Sequence, residues 1–273
     1  MKSAHSFHAM TIKKPDIPSV KLLSYNVQVG INTKKHMDYF TYSWKHFMPH
    51  ARRLENLKSL AKRISEFDIV GLQELDSGSF RSGFMNQTEY LAKAAGFDCW
   101  YDKVNRNMGP VAKHSMGVLS RFQPDNVERH DLPGLPGRGC LVVTYGKEKH
   151  FSIILAHLSL SKRARLKQVD FLCELIKDFS NVVLMGDLNC TPKSEEIEKL
   201  KKKAGLKDYG SARPSYPSWD PVQRLDHILV SSNLIIKNAS VLQWSLSDHL
   251  PISMEIELNK NALPSELKLR NAA

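Results

Sequence analysis

The stretch Asn181-Val-Val-Leu-Met185-Gly-Asp187-Leu-Asn189-Cys-Thr-Pro192 reads as a buried strand that ends in polar chemistry. Asp187 and Asn189 are two apart, and in extended backbone residues i and i+2 share a face, so both can address one ligand. Gly186 before them and Pro192 after them stop the strand, which places the pair at its mouth rather than in the core. By itself such a pair is commonly a solvated turn with an Asx-type hydrogen bond. The same design recurs at distant places in the chain, and that recurrence directs the reading of the fold.

Outward from this stretch, strands and helices alternate irregularly. Val20–Tyr25 reads as a strand. Arg52–Phe67 follows as a helix with Leu54, Leu57, Leu60, Ala61 and Ile64 on one face. Ile69–Leu72 is a short buried strand, and Gln87–Ala95 a helix closed by Gly96. Gly117–Ser120 is strand-like, and Leu141–Tyr145 with Phe151–Ala156 predicts a hairpin around Gly146. A second amphipathic helix is expected over Lys162–Phe179, then the strand at Val182 and a helix near Ser194–Ala204. Strands follow at Asp226–Val230, near Ser240–Trp244 and at Ile252–Leu258. No repeat or Pro/Gly/Ser linker divides the series. The expectation is one domain over 19–258, between a polar leader (1–18) and a polar tail (259–273). Two sheets packed face to face with helices outside would bury these strands, an α/β sandwich.

Five more strand ends carry polar groups: Asn26, Glu74, His157, Asp226, and the Asp248-His249 pair before the last strand. Each has a bland explanation alone, a satisfied turn or a solvated end. Six strand ends bearing acid, amide or imidazole converge on one rim if the strands lie side by side. Carboxylate and amide oxygens without thiolate suit a hard ion, Mg²⁺ with Mn²⁺ as the alternative, rather than zinc. Histidines beside carboxylates supply acid, base or transition-state charge near neutral pH. Hydrolysis of a phosphate ester uses all of these.

These residues place the chain beside a known family. It resembles the endonuclease/exonuclease/phosphatase superfamily, which includes pancreatic-type deoxyribonuclease, abasic endonucleases, bacterial sphingomyelinases, inositol polyphosphate 5-phosphatases and deadenylases. The resemblance runs from about residue 20 to residue 258. It rests on seven pieces in the family order: Leu23–Val27, Gly71–Glu74, Gly117–Arg121, Ala156–Leu158, Gly186–Asn189, Arg224–Ile228 and Ser247–Pro251. It implies a four-layered α/β sandwich with the site on one edge. By the same resemblance Glu74 is the principal metal ligand with Asn26 beside it, and Asp248 lies in the outer metal shell. Asp187 aligns or deprotonates the attacking water, and Asn189 holds a phosphate oxygen or a second metal. His249 stabilises the developing charge, oriented by Asp226, and His157 acts as acid or phosphate contact. Abasic endonucleases carry a Tyr-x-Pro-Asn-type segment where this chain has Ala156-His157-Leu158-Ser159, which weakens an abasic-repair reading.

Composition bounds the partners. The 273 residues carry a net charge of +11, which favours a polyanion: nucleic acid, an anionic membrane surface or a phosphorylated small molecule. Four cysteines without CxxC spacing fit a reduced, cytoplasmic protein, and no run is long enough to span a membrane. The expected protein is a monomeric, metal-dependent phosphodiesterase, a nuclease first. The alternative is a phosphatase or lipid head-group phosphodiesterase, and further off a non-catalytic RNA binder. Residues 32–50 interleave bases with aromatics including Trp44 and Phe47. They could stack bases, touch a lipid interface, or simply pack on the sandwich. Arg81, Asn105 and His114 are candidate substrate contacts, each as readily part of a solvated loop. Lys162, Arg163 and Arg165 could extend a phosphate track or form a solvated face. Pro133–Gly139 reads as a rigid surface turn without chemistry.

Overall fold

In the computed structural model the described residues are 19–28, 51–146, 151–210 and 213–258. The leader, the tail and the aromatic-basic segment 32–50 lie outside them. Twelve strands form two six-stranded mixed sheets. The first contains β1 (Ser19–Asn26), β2 (Ile69–Asp76), β3 (Cys99–Asn107), β4 (Lys113–Ser120), β11 (Ile235–Val241) and β12 (Ile252–Glu257), in the order β11-β12-β1-β2-β4-β3. The second contains β5 (Asn126–Asp131), β6 (Gly139–Tyr145), β7 (Phe151–His157), β8 (Val182–Asp187), β9 (Leu206–Asp208) and β10 (Asp226–Ser231), in the order β5-β6-β7-β8-β10-β9.

The sheets face each other across a core that includes Leu22, Ile69, Val118, Leu141, Ile153, Met185 and Ile256. Helices α1 (Ala51–Ile64) and α2 (Gln87–Ala95) cover the outer face of the first sheet through Leu57, Leu60, Ile64 and Leu91. Helices α3 (Lys162–Ile176) and α4 (Glu195–Lys203) cover the second through Val169, Leu172, Ile197 and Leu200. The architecture is the expected four-layered sandwich. With both faces of the central strands covered, β6, β7 and β8 are buried at every residue, and so they read as continuous apolar runs. Each fully buried Leu, Ile or Val contributes about 1.5–3 kcal/mol.

Leu54, expected on the inner face of α1, is exposed, and its neighbour Arg53 is the buried residue one turn before Leu57. Strand β11 sits at 235–241, earlier than expected. Strands β3, β5 and β9 were not foreseen. Arg121 ties the outer helices to the first sheet: it donates to the carbonyls of Ser65, Phe67 and Gly96, and its guanidinium stacks 4.9 Å over Phe97. Among the described residues no helix is long and apolar enough to cross a membrane.

Register explains why the polar strand ends meet. β1 and β2 run parallel, as do β7 and β8, so Asn26, Glu74, His157 and Asp187 all sit at C-terminal ends on one rim. β10 is antiparallel to β8 and opens at that rim, with Asp226 opposite Asp187. β12 is antiparallel to β1 with Ile252 opposite Ser24, which brings the preceding Asp248 and His249 to the same edge.

Candidate active site

Two local distortions aim the side chains. A bulge interrupts the β2–β4 ladder between Leu72 and Leu75, and within it Glu74 adopts φ 56°. A bulge re-aims a side chain out of the pleat, and a left-handed glutamate is strained, so the turn is held by its surroundings. Asn189, at φ 51°, is turned likewise just after β8. Beneath it Gly186 lies so close to the neighbouring strand that a Cβ would stand 1.9 Å from Ala156 O. Only glycine lets β7 and β8 approach this closely at the rim.

Asp187 is the hub. It is buried, and its Oδ1 accepts the Asn189 backbone N–H (3.0 Å). Its Oδ2 accepts Asn26 Nδ2 (3.1 Å) and lies 3.6 Å from His157 Nε2 and 3.8 Å from His249 Nε2. Burial raises its pKa, Asp226 adds to the rise, and the charge on His249 opposes it. His249 Nδ1 lies 2.9 Å from Asp226 Oδ2, which also accepts the Ser215 hydroxyl at 2.6 Å. Burial works against the imidazolium, yet the charges of Asp226 and Asp187 and the Asp226 hydrogen bond raise His249 well above the ordinary histidine range. The ring packs on Tyr216, centroids 4.8 Å apart. His227 points away, as strand alternation requires: it is fully buried with Nε2 2.8 Å from Cys190 O. Asp226, not His227, therefore faces the site.

His157 is held differently. Arg138 Nη1 lies 2.8 and 2.6 Å from its two ring nitrogens. Burial first, then the Arg138 charge, drive its pKa well below the ordinary value. Arg138 is the residue that sequence reasoning missed, since Pro133–Gly139 was read as a featureless turn. The usable signal was hairpin register: Gly139 pairs with His157, so its neighbour Arg138 reaches that imidazole. Tyr216 and Ser215 were missed too, because nothing in a polar loop marks them.

Glu74, Asp248 and Asn26 were expected as metal ligands. Asn26 Nδ2 donates to Glu74 Oε1 (3.2 Å) and to Asp187, while its Oδ1 accepts the Gln28 N–H. In this placement Asn26 orients two carboxylates through its amide nitrogen, and its Oδ1 keeps a second lone pair beside them. Asp248 is buried, and burial with the nearby Glu74 charge pushes its pKa up to about 6, against the pull of His249. Among the described residues neither Glu74 nor Asp248 has an ion-pair partner. Asp187, Asp226 and His249 form a further buried group whose donor atoms lie within 4.8 Å of one another. An all-oxygen, unneutralised carboxylate pair beside that group fits a hard divalent cation.

Of the candidate substrate contacts, Asn105 and His114 line a cleft of about 300 Å³ together with Glu74, Arg138 and His157. Arg81 does not reach it. It is 1 % exposed, paired with Asp76 at 2.9 Å, and its Nη1 stands 3.3 Å behind His114 Nε2. Asp76 also accepts from Ser79, Ser82 and the Lys113 N–H, so the 76–82 turn closes around the carboxylate and draws Arg81 inward. Breaking such a buried pair by removing one partner costs about 3–5 kcal/mol. Asn189 gives one amide hydrogen to Leu158 O and borders a second depression. There Lys162 and Arg165 pair with Glu195 and Glu196, so neither is a free cation on a phosphate track.

The chain matches the model of the Endonuclease/Exonuclease/phosphatase family over residues 23–249. No curated protein matches it significantly. Solved structures share the fold. The mannosyl-6-phosphatase of Bacteroides thetaiotaomicron aligns with TM-score 0.66 and 17% identity, over 88% of this chain and 100% of that one. ANGEL2, a 2',3'-cyclic phosphatase, aligns with TM-score 0.64 and 15% identity, over 88% and 96%. The human Nocturnin catalytic domain with bound sulfate gives 0.63 and 18%, over 89% and 94%.

Proposed function

This chain belongs to the Endonuclease/Exonuclease/phosphatase family of phosphoester hydrolases, and from that premise we propose that it is a Mg²⁺-dependent phosphodiesterase acting on nucleic acid. The observation that carries the reading is the pairing of a buried carboxylate, Asp187, with two imidazoles pushed in opposite directions. Environments that drive titrating groups apart assign acid and base. His249, held as a cation by Asp226, donates to the phosphoryl oxygen where charge develops. Asp187 aligns the attacking water and takes its proton, with Asn26 fixing one of its oxygens. His157, kept neutral beside Arg138, contacts the phosphate with its guanidinium neighbour. Glu74, with Asp248 behind it, would hold the ion, which supplies Lewis-acid polarisation of the phosphoryl oxygen. The net charge of +11 supports a polyanionic substrate. The four cysteines are all buried free thiols, which fits action in the cytoplasm.

A second reading, phosphatase action on a monoester, is favoured by the mannosyl-6-phosphatase, whose fold this chain shares. The deciding experiment is a panel of plasmid DNA, single-stranded RNA, phosphocholine lipid, inositol phosphates and sugar phosphates, run in Mg²⁺ and in EDTA. Nucleic-acid cleavage abolished by EDTA is expected, with Glu74→Gln losing it while keeping the fold by circular dichroism. Turnover of monoesters alone would replace the nuclease by the phosphatase. EDTA-resistant cleavage would remove the metal.

A further inference from the structure

The cleft beside His157 has a wall of its own, built away from Asp187. A register shift between Val104 and Arg106 leaves Asn105 out of the β3–β4 ladder, and Arg106 then pairs with His114. Such a bulge turns the strand locally and brings its side chains toward the cleft. Asn105 Oδ1 is buried without a partner against Gly139, where a Cβ would lie 2.5 Å from it. Gly139 closes off the carbonyl, and the Asn105 side chain lines the cleft. The stem of Arg106 runs along Gly137, 3.7 Å from where a Cβ there would sit, so its head is guided along the cleft. Arg106 is exposed and has no ion-pair partner among the described residues. His114 Nε2 faces the Arg81 guanidinium and accepts from it, which leaves Nδ1–H as the free donor.

Apart from Glu74 at its inner end and the Asn105 carbonyl closed off by Gly139, the polar groups named here are donors or cations. A wall of donors and guanidinium selects an anion with several acceptor oxygens. We propose that Asn105, Arg106 and His114 form a subsite for a second phosphate of the substrate, next to the one that is cut. This rests on the phosphodiesterase reading above and narrows its substrate to chains or nucleotides carrying at least two phosphates.

The test compares two probes in Mg²⁺: bis(p-nitrophenyl) phosphate, with one phosphate, and a short single-stranded oligonucleotide. Arg106→Gln, a surface change, should lower kcat/KM on the oligonucleotide on the order of tenfold, through KM, and leave the small diester within about twofold. Arg106→Lys should restore part of the loss. With the metal chelated, fluorescence polarisation of a labelled oligonucleotide should show weaker binding to the variant, and its salt slope should fall by about one. Equal losses on both probes, or none on the oligonucleotide, would overturn the subsite while leaving the phosphodiesterase standing. A wild type that turns over the small diester and ignores the oligonucleotide would do the same. A wild type inactive on both probes would overturn both.

Discussion

Two imidazoles approach the same oxygen of Asp187, His249 from the segment before β12 and His157 from the end of β7, at 3.8 and 3.6 Å. Their surroundings differ in sign. His249 lies between two carboxylates and its pKa rises; His157 lies against a guanidinium and its pKa falls. Burial is nearly equal for both and disfavours both cations, so it cannot be the cause of the division. The partner charge decides, within a few ångströms. One rim thereby holds a cationic donor and a neutral acceptor at the same pH, from a single residue type.

The strongest way to break this comparison is at Asp226. His249→Ala should lower kcat on the order of 10²–10⁴-fold, the range of a lost acid–base or charge-stabilising group. Asp226→Asn should impair the same step, and the double variant should be little worse than His249→Ala, since residues acting as a unit are strongly non-additive. Fully additive losses would dissolve the pair. A smaller effect is expected on the other side. Arg138→Gln removes a charge that holds the His157 pKa down, so that pKa rises. The imidazole then stays protonated to higher pH, and the acid limb of the kcat/KM profile moves upward, with about tenfold lower activity at its foot. An unmoved limb would separate Arg138 from the titration of His157.

The smallest effect is on stability. Burial first, then the Arg81 charge, lowers the His114 pKa to about 4. The unfolded chain takes up a proton at this residue near pH 6.5 and the folded chain only near 4. Stability from this group is therefore complete above about pH 6.5 and is lost as pH falls toward 4. The nominal loss of about 3 kcal/mol shrinks to about 1–2 for a ring this open to solvent. His114→Asn should flatten urea midpoints between pH 6.5 and 4, and a slope equal to wild type would assign the acid sensitivity elsewhere.

Legibility followed position in the sheets. The central strands read as apolar runs because helices and the facing sheet cover both their sides, and their polar ends stood out for the same reason. Strands β3, β5 and β9, which the pattern did not reveal, and β11, which it placed too late, are the four sheet edges. Edges carry charge and polar side chains that discourage pairing with another chain, and this erases the hydrophobic period. β5 reads Asn-Val-Glu-Arg-His-Asp. The site divides likewise. Asp187 and Glu74 lie on strands the sequence betrays, and His249 lies three residues before another. Arg138, Ser215 and Tyr216 reach the site only through hairpin register and loop path. Arg81 misled because a charge near Glu74 suggests substrate, whereas the hydrogen bonds of the 76–82 turn, invisible in the sequence, draw it inward.

The pairing of Ser19 with Glu257 sets a timetable. Strand β12 lies between β1 and β11, so during synthesis the first sheet keeps an open seam beside β1 until residue 257 leaves the ribosome. The second sheet, whose strands all lie within 126–231, is complete in sequence earlier and is free to form first. A nascent chain stalled before the last strand carries Asp187 and His157 already side by side, yet has no anchored His249. Placement of His249 at the rim thus waits on the pairing of β12 with β1.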